Sequence, residues 1–304
     1  MKESQVLVAT AAASLGLLAV SALFSPRPAE ALPGRVRRLA DALFARAGGE
    51  AGSGKTVLHG LPKVPIPELR EVGAASLSGE RQFMSKRLYM QLRVLDIDLA
   101  KIDMDAFISK LKAKMASVPC VLYRDTVAND SLALLTWSED PTFFATSLNG
   151  ILGSKDLAPF LTERTGWTMF GKTYSNGHEK DLEEFLFKKP VRTATKEDWD
   201  WAVWYPLKRR GPFYMQPPDD QCRMLLQHAA IGKAFSDLNA AHDIRLKCFG
   251  LDAQDNEYIL GLCGDDLHGL SRVVEEMRKT RHTAEFLESL GPFFVGKRLW
   301  SNLL

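Results

Sequence analysis

The chain has 304 residues, 46% of them apolar and 25% charged, with a formal net charge of +2. That is the composition of an ordinary globular protein, and the near-zero charge excludes the basic footprint of a nucleic-acid binder. The cysteines Cys120, Cys222, Cys248 and Cys263 are scattered and form no C-x-x-C pair, which argues against a zinc knuckle or redox dithiol.

Residues 6–24, "VLVATAAASLGLLAVSALF", carry no charge and have about the length that crosses a bilayer as a helix. "AEA" at 29–31 offers a cleavage site, but the n-region lacks the positive charge of a signal peptide. We therefore expect an uncleaved single-pass membrane anchor over 1–25, with an organelle-targeting segment as the rival. Arg27, Arg35, Arg37 and Arg38 follow the run, so the positive-inside rule puts the bulk of the chain on the cytoplasm-like side.

Residues 26–80 read as a tether. "RVRRLADALFARA" suits a short basic helix at a membrane surface. The stretch at 49–56, "GEAGSGKT", matches the P-loop pattern. Its setting fails: a helical pattern precedes it where a strand is needed, and Pro62, Pro65 and Pro67 forbid a regular helix after it. We expect no nucleotide there, and a flexible Gly/Ser linker instead.

The folded part is expected from Arg81. Hydrophobic periodicity and turn residues predict a strand over 87–97, a helix over 103–117 and a hairpin over 119–140 turning at Ala128-Asn129-Asp130. A helix over 140–152 and a strand over 166–175 follow. The order then repeats: strand 200–209, helix 218–241, hairpin 243–266, helix 267–290 and strand 291–299. The fold class predicted is α+β, a duplicated ferredoxin-like β-α-β-β-α-β unit with halves at 81–197 and 198–304. Whether the two sheets stack or close into a barrel is left open.

Met224, Leu225, His228, Ile231 and Phe235 fall at spacings of three and four, one apolar stripe on the helix after Pro218. His228 alone in that stripe carries a hydrogen-bonding side chain, the arrangement of a satisfied core histidine or of a proximal haem ligand. His59, His178, His268 and His282 form no metal pair at ligand spacing. The acidic run "HEKDLEE" reads as a solvated helix start.

Tyr205-Pro206, His228, Gly250-Leu251-Asp252, Met277-Arg278 and "GPFFVG" at 291–296 stand in an order that resembles the chlorite dismutase family, which includes the coproheme decarboxylases. The resemblance is strong from about 198 to 299, weaker from 81 to 197, and does not reach the first 80 residues. It implies a duplicated ferredoxin-like barrel, a homopentamer, and bound haem b or coproheme. By the same resemblance His228 is the proximal ligand to iron. Arg278 contacts a haem propionate, Lys208 and Arg209 fall near a second basic anchor, and Thr283 falls near a propionate. These are charge-assisted roles suited to carboxylates. Tyr205 matches the tyrosine that relays a radical in the decarboxylases, and Phe213-Tyr214 matches aromatic residues flanking the haem.

One position departs. Thirteen residues after the proximal histidine, chlorite dismutases carry a distal arginine and the decarboxylases commonly a glutamine; here the residue is Ala241. A methyl group cannot stabilise an oxyanion, which argues against chlorite decomposition. His242, next to it, could enter the distal space instead or form a surface pair with Asp243. The first expectation is a membrane-anchored haem b protein with peroxidase-like or other haem redox activity. The alternative is a catalytically silent accessory subunit of a membrane protein complex, and the third is a coproheme decarboxylase.

Overall fold

A computed structural model describes residues 66–76 and 79–303. The expected anchor and the loop at 49–56 lie outside them; among the described residues no helix is long and apolar enough to cross a membrane. The described chain runs β1 (Glu71–Ala75), β2 (Arg81–Met84), β3 (Tyr89–Ile97), α1 (Met104–Lys114), β4 (Cys120–Asp125) and β5 (Ser131–Ser138). A π-helical turn (Phe144–Leu148) leads into α2 (Asn149–Leu152), then β6 (Leu161–Glu163) and β7 (Met169–Lys172). A second π-helical turn (Glu184–Lys188) leads into α3 (Lys189–Thr195). The second half runs β8 (Trp201–Arg209), α4 (Gly211–Tyr214), α5 (Pro218–Asp237), β9 (His242–Lys247) and β10 (Tyr258–Gly264). It ends in α6 (Leu267–Arg278), α7 (Arg281–Phe286), β11 (Leu287–Leu290) and β12 (Phe294–Asn302).

The duplication is visible in the pairing. The first repeat orders its strands β7-β3-β5-β4, and the second β12-β8-β10-β9, all antiparallel. Each is the ferredoxin-like plan, with the first and third strands at the centre. The two sheets do not stack. They close edge to edge into a barrel through two unequal joints. β4 pairs with β12 from Cys120↔Asn302 to Asp125↔Gly296, whereas β7 and β9 pair at Lys172↔Lys247. Gly171 makes the second joint feasible: a Cβ there would lie 2.8 Å from that of Leu246 and 3.0 Å from the Lys247 carbonyl oxygen.

Pleat alternation sorts the side chains into three apolar layers. Ala202 and Trp204 of β8 point into the barrel with Leu92, Tyr123, Ile259 and Phe294. Outside the first sheet, Leu95, Leu122 and Leu134 meet Phe107, Leu111 and Leu148. Outside the second sheet, Val203, Tyr205 and Leu262 meet Leu270 and Val273 of α6.

Two expected boundaries change. The folded chain does not wait for Arg81: β1 and β2 form a hairpin. It is clamped where the Ser175 hydroxyl donates to the Val72 carbonyl and accepts from the Val72 amide, and where the Ala74 amide donates to the Glu179 carbonyl. The helix expected over 267–290 is broken. Thr280 leaves the helical region (φ −75°, ψ 150°) and starts α7 as its N-cap, its hydroxyl accepting from the Thr283 amide, a geometry that threonine favours. The last four residues of the expected helix become β11, paired with β8.

Gly261 lies under the Trp204 indole, where an added Cβ would approach within 2.6 Å. We expect Gly261→Ala to destabilise the barrel by ~1–3 kcal/mol through overpacking, read as a lower urea midpoint with an unchanged m-value.

Candidate functional site

Helix α5 carries Asp219 and Asp220 in its first turn, where acidic groups complement the helix dipole. It stops where Asn239 turns left-handed (φ 55°), a conformation asparagine tolerates. Ile231 and Phe235 lie three and seven residues after His228 and so share its face. Both are half-buried against the outer layer of the second sheet, as is Leu260 across from them.

This layer is less closed than its counterpart. In the first repeat α1 buries Met104, Phe107 and Leu111 among 11 residues, whereas α5 buries only Met224 among 20. The duplicated plan thus has a more closed helix–sheet layer and a more open trough with apolar walls.

His228 stands at the end of that trough beside the helix break. Its Nδ1 lies 3.1 Å from the Thr280 hydroxyl and its Nε2 3.3 Å from the Thr283 hydroxyl. Burial, aided by the nearby Arg209 charge, holds its pKa down to about 4, so the ring is neutral at physiological pH and keeps a lone pair for a metal. A metal would replace the Thr283 hydroxyl at Nε2, which rotation of a short side chain permits.

His282 is the residue that sequence reasoning missed. It is 3% exposed and packs edge-on against His228, ring centroids 4.8 Å apart. Its Nε2 accepts from Arg209 Nε at 2.9 Å, and its pKa is pushed down to about 3, first by burial and then by Arg209 and His228. In an unbroken helix nothing distinguishes it from a surface histidine; the break at Thr280 turns it inward.

Four residues singled out from the sequence gather here: His228, Thr283, Arg209 and Phe213. Phe213 is fully buried, edge-on to His282 at 5.1 Å and to Phe286 at 5.8 Å. Arg209 is clasped between the Phe213 and Tyr258 rings and donates to the Tyr258 hydroxyl at 3.1 Å. Lys208, its neighbour on the strand, turns elsewhere, to Asp255 at 2.7 Å and Glu288 at 3.7 Å. Adjacent strand residues face opposite ways, so the two cations do not converge.

Tyr205 and Ala241 lie in the trough layer itself. The Tyr205 ring stacks on Phe293 at 4.6 Å, and burial pushes its phenol well above the ordinary range, with Asp243 adding to the rise and Arg278 opposing it. Arg278 ends α6 exposed, and among the described residues its side chain forms no hydrogen bond or ion pair. Arg245 reaches the same sheet face by register, opposite Leu260, and pairs with Asp243 at 2.9 Å. His242 does not substitute for the missing distal group: it stacks on Trp199, centroids 3.7 Å apart, on the other face from Ala241. Among the described residues, no three His, Cys, Asp or Glu side chains gather to hold a metal ion.

The family model for chlorite dismutase matches residues 145–299, just over half of the chain. The chain belongs to the chlorite dismutase family. It is 25% identical over 230 residues to the coproheme decarboxylase of Mycolicibacterium smegmatis, covering 66% of this chain and 96% of that protein. Its fold is similar to that of a heme-binding protein of Thermus thermophilus, with a TM-score of 0.59 and 18% identity over 71% of this chain and 92% of the other. It is also similar to a chlorite dismutase variant of Candidatus Nitrospira defluvii, with a TM-score of 0.56 and 13% identity over 69% of this chain and 91% of the other. The match to the family model begins at 145 and so takes in nearly all of the second repeat, including the trough.

The two depressed histidines of the site, His228 and His282, set a pH dependence. Both are harder to protonate folded than unfolded, where the ordinary value is 6.5. As pH falls below 6.5 the unfolded chain takes up more protons, so stability drops progressively toward the folded values of about 4 and 3. Urea midpoints measured at pH 7.5, 6 and 5 should fall in that order, and His282→Gln should flatten the trend.

Proposed function

We propose that this chain is a haem-binding protein in which His228 holds the iron. The observation that carries the reading is the asymmetry of the repeat: beside a neutral imidazole, α5 buries one of its 20 residues against an apolar layer, where α1 of the first repeat buries three of 11. A single imidazole does not make a site for a bare ion, but it suits an iron that brings a macrocycle of ligands with it. Ile231, Phe235, Leu260 and Tyr205 would flank the ring, and Arg278, exposed and unpaired among the described residues, would take a propionate. Arg209, already engaged by His282 and Tyr258, is better suited to holding His282 than to anchoring a second propionate. Lys208, bound to Asp255, is the weaker candidate.

Bound haem supplies one-electron and peroxide chemistry. The chain contributes an apolar pocket, a cation at the rim and a phenol that stays protonated at Tyr205. Ala241 offers no hydrogen bond to a developing oxyanion, so we infer redox chemistry with peroxide rather than chlorite decomposition. Coproheme decarboxylation is the second reading, favoured by Tyr205 in the trough layer and by the similarity to the Mycolicibacterium smegmatis enzyme. The uncharged run at 6–24 supports a membrane tether and, with it, the rival role of accessory subunit in a membrane complex.

Haemin titrated into the purified full-length chain should give a Soret shift saturating at one equivalent, confirmed by pyridine haemochrome, and His228→Ala should lose or alter it. A well-folded wild type that binds no haemin specifically would overturn the haem reading and favour the accessory role. Peroxide added to the coproheme complex separates the two activities. Loss of propionate carboxyls, seen by mass spectrometry and abolished in Tyr205→Phe, would establish the decarboxylase.

A further inference from the structure

The hydroxyl of Thr280 touches four polar groups. It lies 2.7 Å from the Met277 carbonyl oxygen, 3.1 Å from His228 Nδ1, 3.2 Å from the Thr283 hydroxyl and 3.3 Å from the Thr283 amide. A hydroxyl has one proton and two lone pairs. The Met277 carbonyl can only accept, and at 2.7 Å the two oxygens need a proton between them, so the Thr280 proton goes there. One lone pair takes the Thr283 amide proton. Of the two contacts that remain, His228 Nδ1 at 3.1 Å is nearer than the Thr283 hydroxyl at 3.2 Å, so the other lone pair goes to His228 as the donor: Nδ1 carries the hydrogen. Nε2 is then bare and accepts from the Thr283 hydroxyl. The opposite tautomer would leave no proton between the Thr280 and Met277 oxygens.

We propose that Thr280 is a positioning residue that fixes His228 as its Nδ1–H tautomer, so that Nε2 is presented as a lone-pair donor under a removable cap, the Thr283 hydroxyl. This rests on the proposed role of His228 as the iron ligand. The surroundings strengthen the effect. Met277 lies in the last turn of α6, at the negative end of the dipole, and its carbonyl also accepts from the Lys279 and Thr280 amides. Donation into that carbonyl makes the Thr280 oxygen a better acceptor, and an imidazole that donates strongly from Nδ1 is a more basic ligand at Nε2. Thr280 is 1% exposed, so no water competes for the bond. The device uses the helix break: the residue that caps α7 and closes α6 is the one that orients the ring.

The test is a long-range ¹H–¹⁵N correlation spectrum of the full-length chain labelled in histidine nitrogen, at pH 7.5, with His228 assigned by loss of its signals in His228→Gln. The wild type should show the Nδ1–H pattern. Thr280→Val, which removes the hydroxyl but keeps the shape, should shift His228 toward Nε2–H and weaken haemin binding about tenfold or more. Thr280→Ser should restore both, and Thr283→Val should leave Nδ1–H in place. An Nε2–H pattern in the wild type, or an unchanged tautomer in a folded Thr280→Val, overturns the proposal. If Thr280→Val does not fold, the wild-type spectrum decides. The spectrum is read without haemin, so failure of haem binding and failure of the tautomer assignment are seen separately.

Discussion

Strand β8 carries two cores at once, and the rest of the fold depends on its register. Its even residues, Ala202 and Trp204, fill the barrel, while Val203 and Tyr205 face the trough under α5 and α6. It is hydrogen-bonded to β10 along its length, and to β12 and β11 toward its two ends. Because strand side chains alternate with a period of two, a slip of one residue would move Trp204 out of the barrel and Tyr205 into it. Gly261 guards against that, since only a residue without a Cβ leaves room for the Trp204 indole at this register.

The duplication explains how a trough arises without a separate domain. Both repeats lay helices over the outside of a four-stranded sheet. In the first, α1 buries Met104, Phe107 and Leu111, with further apolar side chains half-buried around them. In the second, the inward positions of α5 include His228, and Ile231 and Phe235 stay half-buried. A helix of 20 residues that buries one of them is held mainly by its neighbours α6 and α7 and by the edge strand β9. The same architecture therefore gives a structural layer on one side and a candidate binding layer on the other.

The break between α6 and α7 is where the site is assembled. It brings Thr280, His282 and Thr283 against His228, and lets Arg209 reach His282 from the end of β8. Arg209 is consequently less a free cation than a brace, stacked between two aromatic rings and donating to an imidazole and a phenol.

The sequence by itself determined the α+β class, the repeat and most of its elements, because these follow from local periodicity and from turn residues that act over a few positions. It also singled out His228, whose place in an apolar stripe is a local pattern. The tertiary structure decided three things that local pattern cannot carry. It closed the barrel, since edge pairing between distant strands such as β4 and β12 depends on both repeats being present. It separated Lys208 from Arg209 by the strand pleat and bound each to partners far away along the chain, Asp255 for one and His282 for the other. It also turned His282 inward, because the Thr280 cap competes with a helical pattern that would otherwise run on, and the competition is won by packing against α5 and β8.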